Sequence, residues 1–444
     1  LLKDRRFFLV MKILLIYTNR FEDPVCYPLG LAYVFSGLKK TDNEIEVLDL
    51  SFTDDYQKIL ADKLANFDPD VIGLSIRNID NQSMKYPIFF LSDVKEIIKI
   101  CKNFSNSKIV LGGAAFNVAP FEILEYTDTD LGIFGEGEII FNELVNRLKK
   151  KEDYLSLPGI ISRKNGRIIF NDPVFIDPLD RIGLPDRDIF DIDYYIKKAS
   201  KMGYIDVINI QSKRGCPMNC IYCSYPFIDG KKVRLRSPKN VVNELAYIKR
   251  NYDINNVYFV DGLFNYPIWH TESICKEIIN RNLEIEWGCD LNPRFVSKNM
   301  INLMKKSGCT HVGIGNESGS DTMLKNLKKG FSTNDIVESC IYLKEEDIYT
   351  MCFLMFGGPG EDERTIKESV SLMEKIKPDL VHAQIGIRVY PGCEIADIGI
   401  KEGYIPQDTN LLCPTFYLSD KIKDWIYEYL TDISNNNQRW TLNR

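Results

Sequence analysis

The chain has 444 residues, 45% apolar and 27% charged, an ordinary globular composition that excludes disorder, collagen and low-complexity assembly. A net charge of −6 excludes a global positive field able to hold nucleic acid or an anionic membrane. No apolar run approaches the roughly 20 residues of a spanning helix and no signal peptide opens the chain, so a cytoplasmic protein is expected. In chain order, residues 11–17 (MKILLIY) form the kind of aliphatic run buried on both faces of a parallel sheet. The alternation then predicts a helix over 30–40, a strand over 44–50, a helix over 55–66, a strand over 71–76 and a helix over 92–101. Strands at 108–111 and 131–134 and a helix at 139–150 complete an open, doubly wound α/β domain over 11–150, a Rossmann-like arrangement.

In such a sheet the ligand crevice lies beyond the carboxyl ends of the strands, among the loops after Tyr17, Ile76, Leu111 and Phe134. Gly112, Gly113, Gly135 and Gly137 stand in those loops, where glycine admits close backbone approach or a tight turn without any ligand. Residues 151–205 carry Pro158, Pro173, Pro178 and Pro185 among short β-type runs and read as a connector. From 206 to 405 the alternation restarts, with strands at 207–211, 256–260, 284–289, 311–315, 351–356 and 380–390 separated by helices. That is a (β/α)6 layer, a full or partial barrel of the TIM type. In the tail, 406–444, Ile422, Trp425, Ile426, Tyr429, Leu430 and Ile433 recur at helical spacing and predict a packed terminal helix.

Twelve cysteines are scattered through the chain, with one tight cluster, Cys216-Pro-Met-Asn-Cys220-Ile-Tyr-Cys223, just beyond the first strand of the second domain. That pattern favours reduced thiols and a metal site over a disulfide framework. Three thiolates on one loop can wrap an iron–sulfur cube, for which thiolate is the soft ligand. Zinc is the rival, but structural zinc wants four protein ligands, and the histidines, His270, His311 and His382, lie far along the chain. A cube held by three cysteines leaves one iron open to a substrate or cofactor.

Here the sequence resembles the radical S-adenosylmethionine (radical SAM) superfamily, whose hallmark is a C-x3-C-x2-C loop at the first barrel strand, with an aromatic, here Tyr222, before the last cysteine. Four further segments match in order. Residues 259–265 (FVDGLFN), with Asp261, resemble the second-strand segment that meets the methionine amino group. Residues 315–320 (GNESGS), with Glu317 and Ser318, resemble the fourth-strand segment near the ribose, and 356–361 (FGGPGE), with Gly357 and Gly358, the fifth-strand segment near the adenine. Residues 388–392 (RVYPG), with Arg388 and Tyr390, match the sixth-strand ending. The resemblance implies a [4Fe-4S] cluster on Cys216, Cys220 and Cys223, S-adenosylmethionine chelated at the open iron, and a 5′-deoxyadenosyl radical released by one electron from an external donor such as flavodoxin or ferredoxin. Arg294 is suited to neutralise the methionine carboxylate, with a surface salt bridge as the alternative. Glu317 would accept from ribose hydroxyls, with a helix N-cap contact as its alternative. Cys393 follows the sixth strand as a small buried residue or a cavity-facing one.

The first domain, through Pro28-Leu29-Gly30-Leu31-Ala32, Gly112-Gly113 and Gly135-Glu136-Gly137-Glu138, resembles the cobalamin-binding domain that precedes the barrel in one radical SAM class. That class mainly methylates unactivated carbon or phosphorus through methylcobalamin. Rearrangement, cyclisation or oxidation without net methyl transfer is the alternative, and a non-catalytic iron–sulfur sensor a more distant one. A methylthiotransferase would want a second three-cysteine site, and residues 11–200 offer Cys26 and Cys101 alone. Residues 1–269 contain no histidine, so any cobalamin binds without a histidine lower ligand. The loop Arg77-Asn78-Ile79-Asp80-Asn81, after the third strand and its cofactor-binding candidate Ser75, lies where a corrin face would be, and Arg77 is expected to press a cation near cobalt, or else to pair with Asp80. The expected substrate is a small molecule, lipid precursor or peptide; no basic aromatic patch suggests nucleic acid.

Overall fold

The computed structural model describes residues 10–21, 24–164, 167–203 and 208–442. They fall into two compact units, the first made of residues to Ile79, Phe89–Ile176 and Arg181–Tyr195, the second of Asp80–Ile88, Asp177–Asp180 and the chain from Ile196 onward.

In the first unit the chain runs β1 (Lys12–Tyr17), α1 (Leu29–Leu38), β2 (Glu44–Asp49), α2 (Tyr56–Phe67), β3 (Val71–Ser75), α3 (Leu91–Phe104) and β4 (Lys108–Gly112). It continues through α4 (Ala114–Val118), α5 (Pro120–Thr127), β5 (Leu131–Ile133) and α6 (Gly137–Lys150), where α4 and α5 fill a crossover the sequence pattern leaves unassigned. The helices form where one stripe is apolar: in α3, Leu91, Val94, Ile97, Ile98 and Cys101 recur at three- and four-residue spacing and all are buried. β1 buries Ile13 to Tyr17 without alternation, as a strand covered on both faces must. Each fully buried Leu or Ile there contributes about 1.5–3 kcal/mol.

The sheet order β2-β1-β3-β4-β5 is parallel throughout. Because β1 lies between β2 and β3, the chain leaves it in opposite directions, and a crevice opens beyond the carboxyl ends of β1 and β3. Residues 151–176 are less irregular than the proline spacing suggests. They add β6 (Ile160–Lys164) and β7 (Arg167–Phe170) to the same sheet as an antiparallel edge, an outcome that short β-type runs between prolines permit but do not reveal. A helix, α7 (Ile192–Lys201), follows, and the division between the units falls within it.

The second unit strings its strands in chain order: β8 (Asn209–Ile210), the short antiparallel pair β9 (Lys213–Arg214) and β10 (Arg234–Leu235) flanking α8 (Tyr225–Asp229), then α9 (Pro238–Tyr252) and β11 (Asn256–Phe259). There follow α10 (Ile268–Asn280), β12 (Glu286–Leu291), α11 (Lys298–Lys306), β13 (Cys309–Glu317), α12 (Asp321–Asn326), α13 (Thr333–Glu345), β14 (Tyr349–Phe356), α14 (Glu363–Ile376) and β15 (Leu380–Ile385). Of the first barrel strand expected over 207–211, Val207 lies outside the described residues. Ser332 with Asp335 and Asp362 with Thr365 form reciprocal caps that start α13 and α14 at fixed points.

β8-β11-β12-β13-β14-β15 pair in parallel in chain order, with the β9–β10 pair set apart, and β8 remains an edge, so the barrel is partial. The tail is more than a helix. After β16 (Ile387–Arg388), α15 (Glu394–Lys401) and β17 (Phe416–Tyr417), α16 (Ile426–Asn436) carries the apolar spacing seen in the sequence, and β18 (Trp440–Leu442) then joins the barrel sheet parallel to β15. A three-residue strand has too few positions for a period, which is why the sequence shows only the helix.

Candidate active site

The cysteine loop follows the β8–β9 end of the barrel. Gly215 enters it at φ +90°, and a Cβ there would stand 2.1 Å from the carbonyl oxygen of Lys232, so only glycine fits. The loop is tied by backbone bonds from Cys216 N–H to Gly230 O (3.1 Å), Ile221 N–H to Leu327 O (3.3 Å) and Cys223 N–H to Cys220 O (3.2 Å). All three thiols are free of disulfides, Cys216 buried and the other two half-buried. Burial raises each of them, Cys223 to about 12, and a charge on Cys220 raises both of the others, which places the sulfurs in one neighbourhood. Among the described residues no three His, Cys, Asp or Glu side chains converge on a single-ion site. The donor set suits a cube, whose thiolates bind separate corners.

Tyr222 reaches across to the fourth barrel strand. Its hydroxyl donates to Glu317 Oε1 (3.0 Å), and Lys329 Nζ donates to both the Tyr222 hydroxyl (3.0 Å) and Glu317 Oε1 (3.1 Å). Glu317 holds φ +61° where the register between β13 and β14 shifts, a conformation that costs a non-glycine residue about 1–3 kcal/mol. Its partners are therefore a tyrosine and a lysine, not a helix N-cap. Sequence reasoning missed Lys329: nothing local separates it from Lys325 and Lys328, yet those are exposed and Lys329 is buried.

A hollow of about 630 Å³ adjoins the cysteine loop, lined by Met218, Asn219, Arg294, Lys325, Lys328 and Phe331 among others. Asn292 caps the turn that projects Arg294, its Oδ1 accepting from Arg294 N–H at 2.9 Å. Arg294 is exposed and forms no ion pair among the described residues, so the surface salt bridge is not what holds it.

Other sequence candidates are committed within the protein. Asp261 accepts from the backbone N–H groups of Ser212 (2.7 Å) and Lys213 (3.0 Å) and from the Ser212 hydroxyl. The adjoining Gly262 N–H donates to Tyr225 Oη (2.9 Å), a residue that sequence reasoning did not single out. Ser318 turns to Ser369 (3.0 Å) and caps Ser320 N–H. Arg388 pairs with Asp80 Oδ2 (2.7 Å) and donates to four backbone carbonyls, while Tyr390 is buried with the Arg388 guanidinium 4.5 Å from its ring centre. Cys393 is buried at the start of α15. At the end of β14, Gly357 has φ +120°, and the N–H groups of Gly357 and Gly358 both point to Glu361 Oε2. Glu361 is fully buried, its Oε1 lacks a partner among the described residues, and burial raises its carboxyl to about 7.

In the first unit the crevice residues meet at the ends of β1, β3 and β4. Arg77 Nη2 donates to Cys26 Sγ (2.9 Å). With its amide oxygen facing the guanidinium, Asn78 accepts from Arg77 Nη1 at 2.9 Å. Asp80 is therefore not the partner of Arg77. Tyr17 ends β1 with its hydroxyl buried and, among the described residues, without a partner, near enough to Arg77 and Cys26 to feel both. Ser75 O accepts from Thr18 (3.0 Å). Gly113, at φ +98°, packs on Ile76, where a Cβ would lie 2.5 Å from the carbonyl oxygen. Pro28 precedes Leu29 at the start of α1, and the neighbouring Gly30 is exposed with open space where a Cβ would go. Gly112 likewise has room, whereas Gly135 packs on Pro173 and Gly137 on Val34. Glu136 Oε2 accepts from Ile176 N–H (2.6 Å), which ties the loop after β5 to residues beyond β7. The orphaned Tyr17 hydroxyl beside a cation, with open backbone at Gly30 and Gly112, fits a large polar-rimmed ligand.

The B12 binding domain family model matches residues 23–145, and that of the Radical SAM superfamily matches residues 210–373. Together they span well over half of the chain. It belongs to the radical SAM enzymes that carry a B12-binding domain. This radical SAM enzyme is 27% identical over 406 residues to an uncharacterised methyltransferase of Pyrococcus horikoshii, covering 88% of this chain and 83% of that one. It is 23% identical over 442 residues to the tryptophan 2-C-methyltransferase of Streptomyces laurentii, covering 85% and 73%. The radical S-adenosylmethionine methyltransferase TsrM of Kitasatospora setae, solved with tryptophan and a SAM analogue, shares the fold at a TM-score of 0.87 and 20% identity, covering 98% of this chain and 91% of that one. Among the described residues no helix is long and apolar enough to cross a membrane.

Proposed function

We propose that this enzyme is a cobalamin-dependent methyltransferase acting on an unactivated carbon or phosphorus centre of a small molecule, with its electron drawn from an external donor of the flavodoxin or ferredoxin kind. The observation that carries the reading is the three-thiol loop at the first barrel strand of a chain whose first unit has a 2-1-3-4-5 parallel sheet. Support comes also from TsrM, solved with cobalamin and a [4Fe-4S] cluster at a TM-score of 0.80 and 23% identity, covering 89% of this chain and 75% of that one. When bound, the cluster and cobalamin supply one-electron reduction of S-adenosylmethionine and carriage of its methyl group.

Cys216, Cys220 and Cys223 would hold the cluster. Arg294, without a carboxylate partner among the described residues and lining the hollow beside the loop, would take the methionine carboxylate. Glu317 spends Oε1 on Tyr222 and Lys329, which leaves Oε2 to accept from ribose hydroxyls. The Gly357–Gly358 turn, its N–H groups anchored on Glu361, would present its backbone to the adenine. Asp261 and Ser318 would act through the turns they brace, and Arg388 through the strand end that it fixes beside Tyr390. In the first unit Pro28, Leu29 and Gly30, Ser75, Arg77 and Asn78, Gly112 and Gly113, and Gly135 to Gly137 would surround the corrin. Arg77, fixed by Cys26 and Asn78, presents a permanent cation there.

The test is anaerobic reconstitution with iron, sulfide and hydroxocobalamin, then desalting and quantification of both. One cube and one cobalamin per chain, with iron lost in Cys216→Ala, is the expected result. A cube without cobalamin removes the methyltransferase assignment.

A further inference from the structure

Lys329 is a buried cation of the second unit. Its side chain is 7% exposed, and its ammonium lies 3.0 Å from the Tyr222 hydroxyl and 3.1 Å from Glu317 Oε1. Tyr222 stands between two of the cluster cysteines, and its neighbour Ile221 is bonded to Leu327, two residues before Lys329. The ring of Tyr222 and that of Phe331 flank the ammonium at 5.6 and 5.5 Å. A buried ammonium is costly unless paired, and here a single carboxylate oxygen shares its charge with a tyrosine.

We propose that Lys329 is a positioning residue of the cluster site: it locks Tyr222 to Glu317 and sets a fixed positive charge beside the three-thiolate loop. Two consequences follow from the geometry. Glu317 is turned so that its free oxygen, Oε2, is the one a ligand meets. A permanent cation next to an anionic cluster favours the form carrying one more electron, because Coulomb attraction grows with the cluster's negative charge. The proposal rests on the cluster assignment, and its test separates the two.

The experiment measures iron content and, by redox titration followed by electron paramagnetic resonance, the cluster's midpoint potential in the reconstituted full chain. In Lys329→Met the reduced fraction at a fixed potential is expected to fall about tenfold, a shift of about 59 mV for one electron. Lys329→Arg keeps the charge and is expected to retain the wild-type potential, whereas Glu317→Gln, which removes the offsetting carboxylate, is expected to raise it. A Lys329→Met protein with full iron and an unchanged potential overturns the proposal, as does an equal shift in Met and Arg variants. Should Lys329→Met not take up iron, Glu317→Gln decides, and an unchanged potential there overturns the proposal. A wild-type chain that binds no iron overturns the cluster assignment itself and the proposal with it.

Discussion

Arg388 Nε donates to Asp80 Oδ2 at 2.7 Å, and the two side chains are 2% and 0% exposed. Asp80 opens the nine-residue segment Asp80–Ile88, which is counted with the second unit although it follows β3 of the first. The segment is held again at Met84, against which a Cβ at Gly386 (φ +82°) would lie 2.5 Å from the sulfur, and at Gln82 O, which accepts from Gln384 (3.0 Å). The charged pair is thus a structural clasp, made by the same guanidinium that the sequence match suggests as a cofactor ligand.

Breaking that clasp on one side should be expensive. Arg388→Met strands a buried carboxylate and four backbone carbonyls, so a loss of about 3–5 kcal/mol is expected in urea unfolding. Combining it with Asp80→Leu removes the uncompensated charge and should recover a good part of that loss. A single variant as stable as the wild type would show that solvent reaches the pair.

Glu361 makes stability depend on pH. Its carboxyl ionises near 4.5 in the unfolded chain and, raised by burial, near 7 in the folded one. Between those values the folded protein keeps a proton that the unfolded chain has lost. The associated stability is therefore complete below 4.5 and lost as pH rises through 7, on the order of 3 kcal/mol in all. His270, lowered by burial to about 4, works in the opposite direction between 4 and 6.5. The diagnostic quantity is the difference between wild type and Glu361→Gln: it should slope between pH 4.5 and 7 and be flat outside. A flat difference across the whole range would mean that water reaches the carboxyl.

The elements that announce themselves in sequence are those with a period long enough to read. β1 with its unbroken MKILLIY and α3 with its apolar stripe stand where the pattern puts them, and so do the three cysteines, because loop spacing alone defines that motif. What stays hidden depends on tertiary partners. β6 and β7 become strands by finding the edge of a sheet, and β18 by finding β15. Lys329 is one of three lysines within five residues, and only the fold decides which of them is buried against Glu317. Asp80 pairs with Arg388, while Arg77, three residues away, turns to Cys26, a choice that neither spacing nor charge announces in the sequence.

Gly215 is the hinge of the cysteine loop. A methyl group there meets the carbonyl oxygen of Lys232 at 2.1 Å in a backbone conformation that costs an L-residue a further 1–2 kcal/mol or so. Gly215→Ala should therefore reshape the loop without touching a thiol. Iron uptake after reconstitution is expected to fall severalfold while cobalamin uptake, a property of the first unit, is retained. Full iron in Gly215→Ala would show that the loop tolerates an outward shift of the β9–β10 pair.

Arg77 offers the sharpest test of the first unit. Its guanidinium is held by Cys26 and Asn78 and, among the described residues, by no carboxylate, so no ion pair there neutralises its charge. The same charge lowers the proton affinity of Tyr17 and Cys26 against the larger raising effect of their burial. Arg77→Met removes the cation but keeps the bulk. It should change the absorption bands of bound cobalamin and slow methyl transfer on the order of a hundredfold, the usual loss when one preorganised charge is removed from a reacting centre. Cys26→Ser keeps the cation and weakens one of its two anchors, so a smaller change of the same sign is expected. If Arg77→Met binds cobalamin with wild-type spectra and rates, the guanidinium only closes the crevice, and the unpaired Tyr17 hydroxyl becomes the polar group to substitute next.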